Sequence, residues 1–210
     1  MKMTCHLIWE RMISLVAKNK NTLLSIGIDP GTKNGAIAIV DDKLNIIYLA
    51  KAPYISVDTS KMVKPKLNKE TGKYEKAYKQ KSWTDFKKLR EIFLPYVGFK
   101  LILTIEKVQP RSAEYETNSF IFGNSLGIFE GQYSLLNPIA FYEPRPITWK
   151  QEMKVTSDKE ESVIMAEKLF NCDLKEYIKS GKKDDVAEAL LLAFYGFRKY
   201  YSEVEENGDS

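Results

Sequence analysis

Apolar residues run almost unbroken from Leu23 to Ile28 and again from Ala36 to Val40, with Asn34-Gly35 between them as a turn signal. Runs of this length predict two buried strands, and Leu44 to Ala52, after the turn Asp41-Asp42-Lys43, predicts a third, so the chain opens as a meander. Leu101 to Ile105, closed by Glu106, predicts a fourth strand, and Pro138 to Tyr142 a short fifth. Helical signals fill the gaps. Ser82-Trp83-Thr84-Asp85 opens a helix through Phe93 that Pro95 ends, and Ala113 to Leu136 reads as a second. Pro146-Ile147-Thr148-Trp149-Lys150 begins a short third, Ser157-Asp158-Lys159-Glu160 caps a fourth running to Phe170, and a last helix runs from Lys183-Asp184-Asp185 through Tyr195. The order β-β-β-α-β-α-β-α-α is that of an α/β domain, assigned to residues 23–200. A helical crossover between the meander and strand four makes strands one and four parallel neighbours.

Three stretches fall outside this pattern. Leu7, Ile8, Met12, Leu15 and Val16 share one face, so residues 1–22 are expected to form a helical extension. Glu10 and Arg11 interrupt its apolar run, which therefore fits neither a signal segment nor a membrane span. Residues 56–81 carry eight lysines with Tyr74 and Tyr78 among them and almost no aliphatics. That composition predicts a loop or flexible hairpin, either simply solvated or in contact with phosphates. Residues 201–210 are expected to form an acidic, disordered tail. Within the second helix, Gly123, Gly127 and Gly131 form one smooth stripe where another backbone, from the sheet or from a second copy, can approach closely.

With 210 residues, 44% of them hydrophobic, the chain can bury one core but not two large ones. Its formal charge is +4; the four acids of residues 203–210 set aside, the remainder stands at +8, which suits a polyanionic partner. Cys5 and Cys172 lie far apart without metal-ligand spacing, so neither a disulfide framework nor a zinc site is expected, and a reducing, cytoplasmic setting fits. His6 is the only histidine and lies in the N-terminal extension, which excludes histidine-based catalysis. Chemistry is left to carboxylates and lysines.

Four carboxylates stand out. Asp29 ends an apolar strand before a glycine bend, where an ionised group costs several kcal/mol (~) unless neutralised by a base or a metal. Glu106 ends the neighbouring strand, and Asp185 and Glu188, three residues apart, share a face near the N-terminus of the last helix. Each has an ordinary explanation alone: a turn former, a surface ion pair, a first-turn helix acid. Together they make an oxygen-only set that selects Mg²⁺ or Mn²⁺. Two such ions, roughly 3.5 to 4 Å apart, activate a water and stabilise the leaving oxygen in phosphodiester hydrolysis.

Ile28-Asp29-Pro30-Gly31, Ile105-Glu106-Lys107-Val108, Trp149-Lys150 and Asp185-Val186-Ala187-Glu188-Ala189-Leu190, in that order, resemble the motifs of the RuvC family of Holliday-junction resolvases, within the RNase H-like superfamily. The resemblance spans about residues 23 to 198. It implies an RNase H-like fold with a mixed five-stranded sheet flanked by helices. It implies two Mg²⁺ or Mn²⁺ ions per active site held by Asp29, Glu106, Asp185 and Glu188, with Lys150 in the catalytic set. Lys150 and Lys159 are expected on the DNA phosphates, joined by Lys107, Arg111 and Lys33. The implied protein is a homodimeric endonuclease that resolves Holliday junctions and other branched DNA in the cytoplasm, with no membrane contact. Three departures mark a phage-type relative: Asp-x-x-Glu where bacterial members usually have Asp-x-x-Asp, Gln109 where they place an aromatic, and the 56–81 insertion with the N-terminal helix. Two other activities use some of the same residues. A ribonuclease H acting on RNA/DNA hybrids needs the same metals, and Gly27-Ile28-Asp29-Pro30-Gly31-Thr32 is similar to the phosphate hairpin of actin-like ATPases and sugar kinases, although no second such lobe follows.

Overall fold

The computed structural model describes residues 20–31, 35–107, 116–156, 158–178 and 183–208. The N-terminal extension up to residue 19, Lys33, Gln109, Arg111 and Ser157 lie outside the described residues.

Five strands form one mixed sheet: β1 (Leu23–Asp29), β2 (Ala36–Asp41), β3 (Ile46–Lys51), β6 (Lys100–Ile105) and β7 (Ala140–Tyr142), in the order β3-β2-β1-β6-β7. The meander pairs antiparallel, and β1–β6 and β6–β7 pair parallel. This is the mixed five-stranded sheet flanked by helices that the motif resemblance implies. Between β3 and the first helix stands a separate antiparallel hairpin, β4 (Tyr54–Leu67) and β5 (Tyr74–Thr84), so the insertion is paired strand rather than loop. The helices are α1 (Phe86–Phe93), α2 (Glu116–Tyr133), α3 (Pro146–Glu152), α4 (Lys159–Phe170) and α5 (Asp184–Gly208).

Alternation along the strands sends side chains to two separate cores. Leu24, Ile26 and Ile28 of β1, with Leu101, Leu103 and Ile105 of β6, pack under Leu89 and Phe93 of α1 and Phe129 of α2. On the opposite face Ala36, Ala38 and Ile102 meet Trp149 of α3, Ala166 and Phe170 of α4, and the apolar run of α5. Ser25, Gly27 and Asp29 alternate with the first set and therefore face α5.

Several expectations are corrected. Residues 201–208 continue α5 instead of forming a disordered tail, held by the Phe197–Tyr201 ring stack at 6.1 Å and by the Tyr142 hydroxyl, which donates to Glu203 at 2.8 Å. Ser82, Trp83 and Thr84 end β5, and α1 starts after Asp85, whose carboxylate accepts from the Lys88 amide. The third strand starts at Ile46, because Leu44 takes a positive φ of 61° in a turn where the Asp41 carboxylate accepts from the Lys43 and Asn45 amides. Asp158 is the N-cap of α4, its carboxylate accepting from the Glu160 amide. The α2 glycines do not lie on the sheet: a Cβ built at Gly123, Gly127 or Gly131 meets nothing within 4 Å. Ser125 and Phe129 are the buried side of that helix.

Candidate active site

The site follows from a match of two periods. Two strand residues advance about 6.6 Å and four helix residues about 6.0 Å, so a helix antiparallel to a strand stays in step with its alternate positions. The Ser25 hydroxyl donates to the Ala193 carbonyl at 2.7 Å, and Gly27 sits against Ala189 and Ala193. A Cβ on Gly27 would stand 2.0 Å from the Ala189 oxygen and 2.4 Å from the Ala193 nitrogen, so only glycine admits the helix this close. One further step brings Asp29 under Asp185, at the N-terminal end of α5. On the other strand Ile28 pairs with Ile105, and the Glu106 amide donates to the Ile28 carbonyl at 3.0 Å. Asp29 and Glu106 are thereby neighbours at the ends of two parallel strands, both on the α5 side.

The glycine bend serves the carboxylate. The Gly31 amide donates to Asp29 Oδ1 at 3.2 Å, and the Gly35 amide donates to the Gly31 carbonyl at 3.0 Å. A Cβ at Gly35 would lie 2.2 Å from that carbonyl, so the bend needs glycine there. Burial raises the Asp29 carboxyl well above its usual range, and Glu106 and Glu188 push it further in the same direction, the Gly31 amide opposing and Asp185 adding to the rise. Glu106 is also raised, first by burial; the Trp149 indole and Lys150 oppose, and Glu188 adds. Trp149, fully buried in α3, donates its Nε1–H to Glu106 Oε1 at 2.8 Å.

Lysines hold the other two acids. Lys51 Nζ lies 2.9 Å from Asp185 Oδ2, and Lys150 Nζ lies 2.7 Å from Glu188 Oε1 while sitting 5.2 Å from the Trp149 ring centroid. Lys159 pairs with Asp184, whose side chain is buried beside them, and that bond, set against partial burial, raises the lysine's pKa. Lys51 and Asp184 carry no motif, yet each had a signal. Lys51 alternates with Leu49, which faces α5, and Asp184 opens the same helix as Asp185.

Of the residues singled out in the sequence, Asp29, Glu106, Asp185, Glu188 and Lys150 gather in one electrostatic cluster, with Lys159 at its edge. Lys107 turns away: its ammonium pairs with Glu143 at 3.1 Å and its amide donates to Pro144. Among the described residues no three carboxylates converge on a single point, and Asp185 and Glu188 are each paired with a lysine. The donor chemistry nonetheless suits a hard divalent cation. Four carboxylates face two paired lysines, and neither Asp29 nor Glu106 has an ion-pair partner among the described residues. Crowded acids with raised proton affinity are what a bound cation relieves.

No family model matches this chain. No curated protein matches it either. Among solved structures it is similar to T. thermophilus RuvC in complex with Holliday junction substrate, with a TM-score of 0.45 and 13% identity over 86% of this chain and 96% of that one. A second Thermus thermophilus RuvC structure has the same score and identity, over 87% of this chain and 96% of its own.

Proposed function

We propose that this protein is a divalent-metal-dependent endonuclease acting on branched DNA, with Asp29, Glu106, Asp185 and Glu188 as the ligands of Mg²⁺ or Mn²⁺. The observation that supports this most directly is the meeting of Asp29 and Glu106 on adjacent parallel strands under the acidic first turns of α5, where burial first, and then repulsion from Glu106 and Glu188, raises Asp29. A structural ion-pair network would match each acid with a base. Among the described residues, Asp29 and Glu106 are left without one. Bound cations supply charge neutralisation for a phosphodiester under attack and a more acidic water.

The chain's own residues have separable tasks in this reading. Trp149 holds Glu106 in one orientation through its indole N–H, and Gly27 lets α5 carry Asp185 and Glu188 to the strand ends. Lys51 and Lys150 neutralise the helix acids before a cation or phosphate arrives. Lys150 then turns to the substrate phosphate, with Lys159 beside it. The motif resemblance supplies the finer parts: four-way junctions among the substrates, a homodimer cutting opposed strands, and a phage-type origin with action in the host cytoplasm.

The deciding experiment offers the protein labelled four-way junction, fork, plain duplex and RNA/DNA hybrid, with Mg²⁺ or Mn²⁺ against EDTA. Metal-dependent incision of the branched DNAs in preference to duplex is expected. Incision confined to the hybrid would make it a ribonuclease, and no metal-dependent incision would remove the enzyme reading. Light scattering after size exclusion reads the expected dimer.

A further inference from the structure

The β4–β5 hairpin is left unexplained by the site. Its root is three residues past Lys51: β4 starts at Tyr54, and the Asp85 amide closes the base by donating to the Pro53 carbonyl at 2.9 Å. From there β4 runs for fourteen residues, a reach of about 40 Å at the usual strand rise. That exceeds a full turn of duplex DNA, about 34 Å. The tip is ordered: Asn68 Oδ1 accepts from the Glu70 and Thr71 amides, and the Asn68 amide donates to the Lys73 carbonyl at 2.8 Å.

Charge is concentrated on this arm. Residues 56–81 hold eight lysines against Asp58, Glu70 and Glu75, a net +5, whereas the whole chain is +4, so everything else sums to −1. Lys64, Lys69, Lys73 and Lys76 are exposed and make no ion pair among the described residues, unlike Lys51, Lys150 and Lys159 at the carboxylates. Strand alternation puts Tyr74, 74% exposed, on the same face as Lys76. A two-stranded hairpin that leaves the apolar side chains of Tyr54, Ile55, Val57, Leu67 and Tyr74 exposed gains nothing from lysine repulsion along its length, except opposite a polyanion.

We propose that the β4–β5 arm is a duplex-DNA clasp that lies along the phosphate backbone of one substrate arm and sets affinity at a distance from the carboxylates. The choice of DNA as partner rests on the nuclease reading above. The clasp itself rests on the charge and reach of the hairpin.

The test is the salt dependence of duplex binding in EDTA, where no incision interferes. It compares the wild type with the quadruple variant Lys64→Gln/Lys69→Gln/Lys73→Gln/Lys76→Gln and with a chain in which residues 59–79 are replaced by Asn-Gly. Each lost phosphate contact removes about 0.9 from the log–log slope, so the quadruple variant should flatten it by about 2 to 4 and bind about tenfold or more weakly. The shortened arm should do at least as much, and an unchanged melting temperature of the quadruple variant shows that the body is intact. An unchanged slope in both variants overturns the clasp, as does a slope change seen only with single-stranded DNA or a wild type that binds no duplex. A wild type that binds steeply through the arm yet never incises branched DNA overturns the nuclease reading alone.

Discussion

Gly27 of β1 and Ala193 of α5 meet backbone to backbone, so closely that a methyl group on Gly27 would lie 2.4 Å from the Ala193 nitrogen. This approach sets the height at which the acidic end of α5 passes the strand ends. Gly27→Ala should push helix and strand apart or fail to fold, costing about 1–3 kcal/mol or more. Thermal melting checks it. A variant that melts like the wild type and incises normally would show that the helix has room to spare.

Asp29 links stability to pH with a definite sign. Its carboxyl is held well above the usual range, so the folded protein binds that proton more tightly than the unfolded chain. The stability this contributes is full below about pH 4, the ordinary unfolded value, and is lost as pH rises through the folded one. Asp29→Asn lacks the group. In EDTA the variant should therefore melt increasingly above the wild type as pH rises toward neutrality, while its incision falls about a thousandfold. Added Mg²⁺ should raise the wild-type melting temperature and leave the variant's where it was. A variant less stable than the wild type at neutral pH in EDTA would make Asp29 a structural residue.

Among the described residues, the Trp149 indole makes the one hydrogen bond to the carboxylate of the second strand-end acid, Glu106. Trp149→Phe keeps most of the buried ring but withdraws the donor, leaving a largely buried carboxylate short of a partner at a cost of about 1–3 kcal/mol. The melting temperature should fall and the Mg²⁺ concentration for half-maximal incision should rise. A lower melting temperature with an unchanged Mg²⁺ midpoint would confine Trp149 to packing.

Lys51 should act in the opposite direction. Its ammonium takes the place beside Asp185 that a cation would use, at 2.9 Å. Lys51→Gln should lower the Mg²⁺ midpoint by about fivefold, the equivalent of the ~1 kcal/mol that a partly exposed ion pair is worth. Melting in EDTA should fall at the same time, since Asp185 is left without its base. A raised midpoint would show that Lys51 supports the cation site instead of competing with it.

The sequence by itself determined the strands and helices of the sheet, because buried strands and amphipathic helices each write their period into the chain. The parallel pairing of β1 with β6, and with it the contact of Asp29 and Glu106, was legible from element order alone, since a helical crossover leaves little choice. The acidic pair of α5 was legible as a shared helix face. For the lysine-rich segment the sequence left loop and hairpin both open, because a run of lysines and tyrosines with almost no aliphatics carries no clear alternation to choose between them. The helical state of residues 201–208 was hidden too, since it depends on Tyr142 holding Glu203 from another element. Only the tertiary structure decided which donors answer which acids: Lys51 comes to Asp185 from 134 residues away and the Trp149 indole to Glu106 from 43. Local sequence carries periodicity and conformational preference, whereas an ion pair between distant elements exists only once helix and sheet have been packed at a definite height, and here a glycine sets that height.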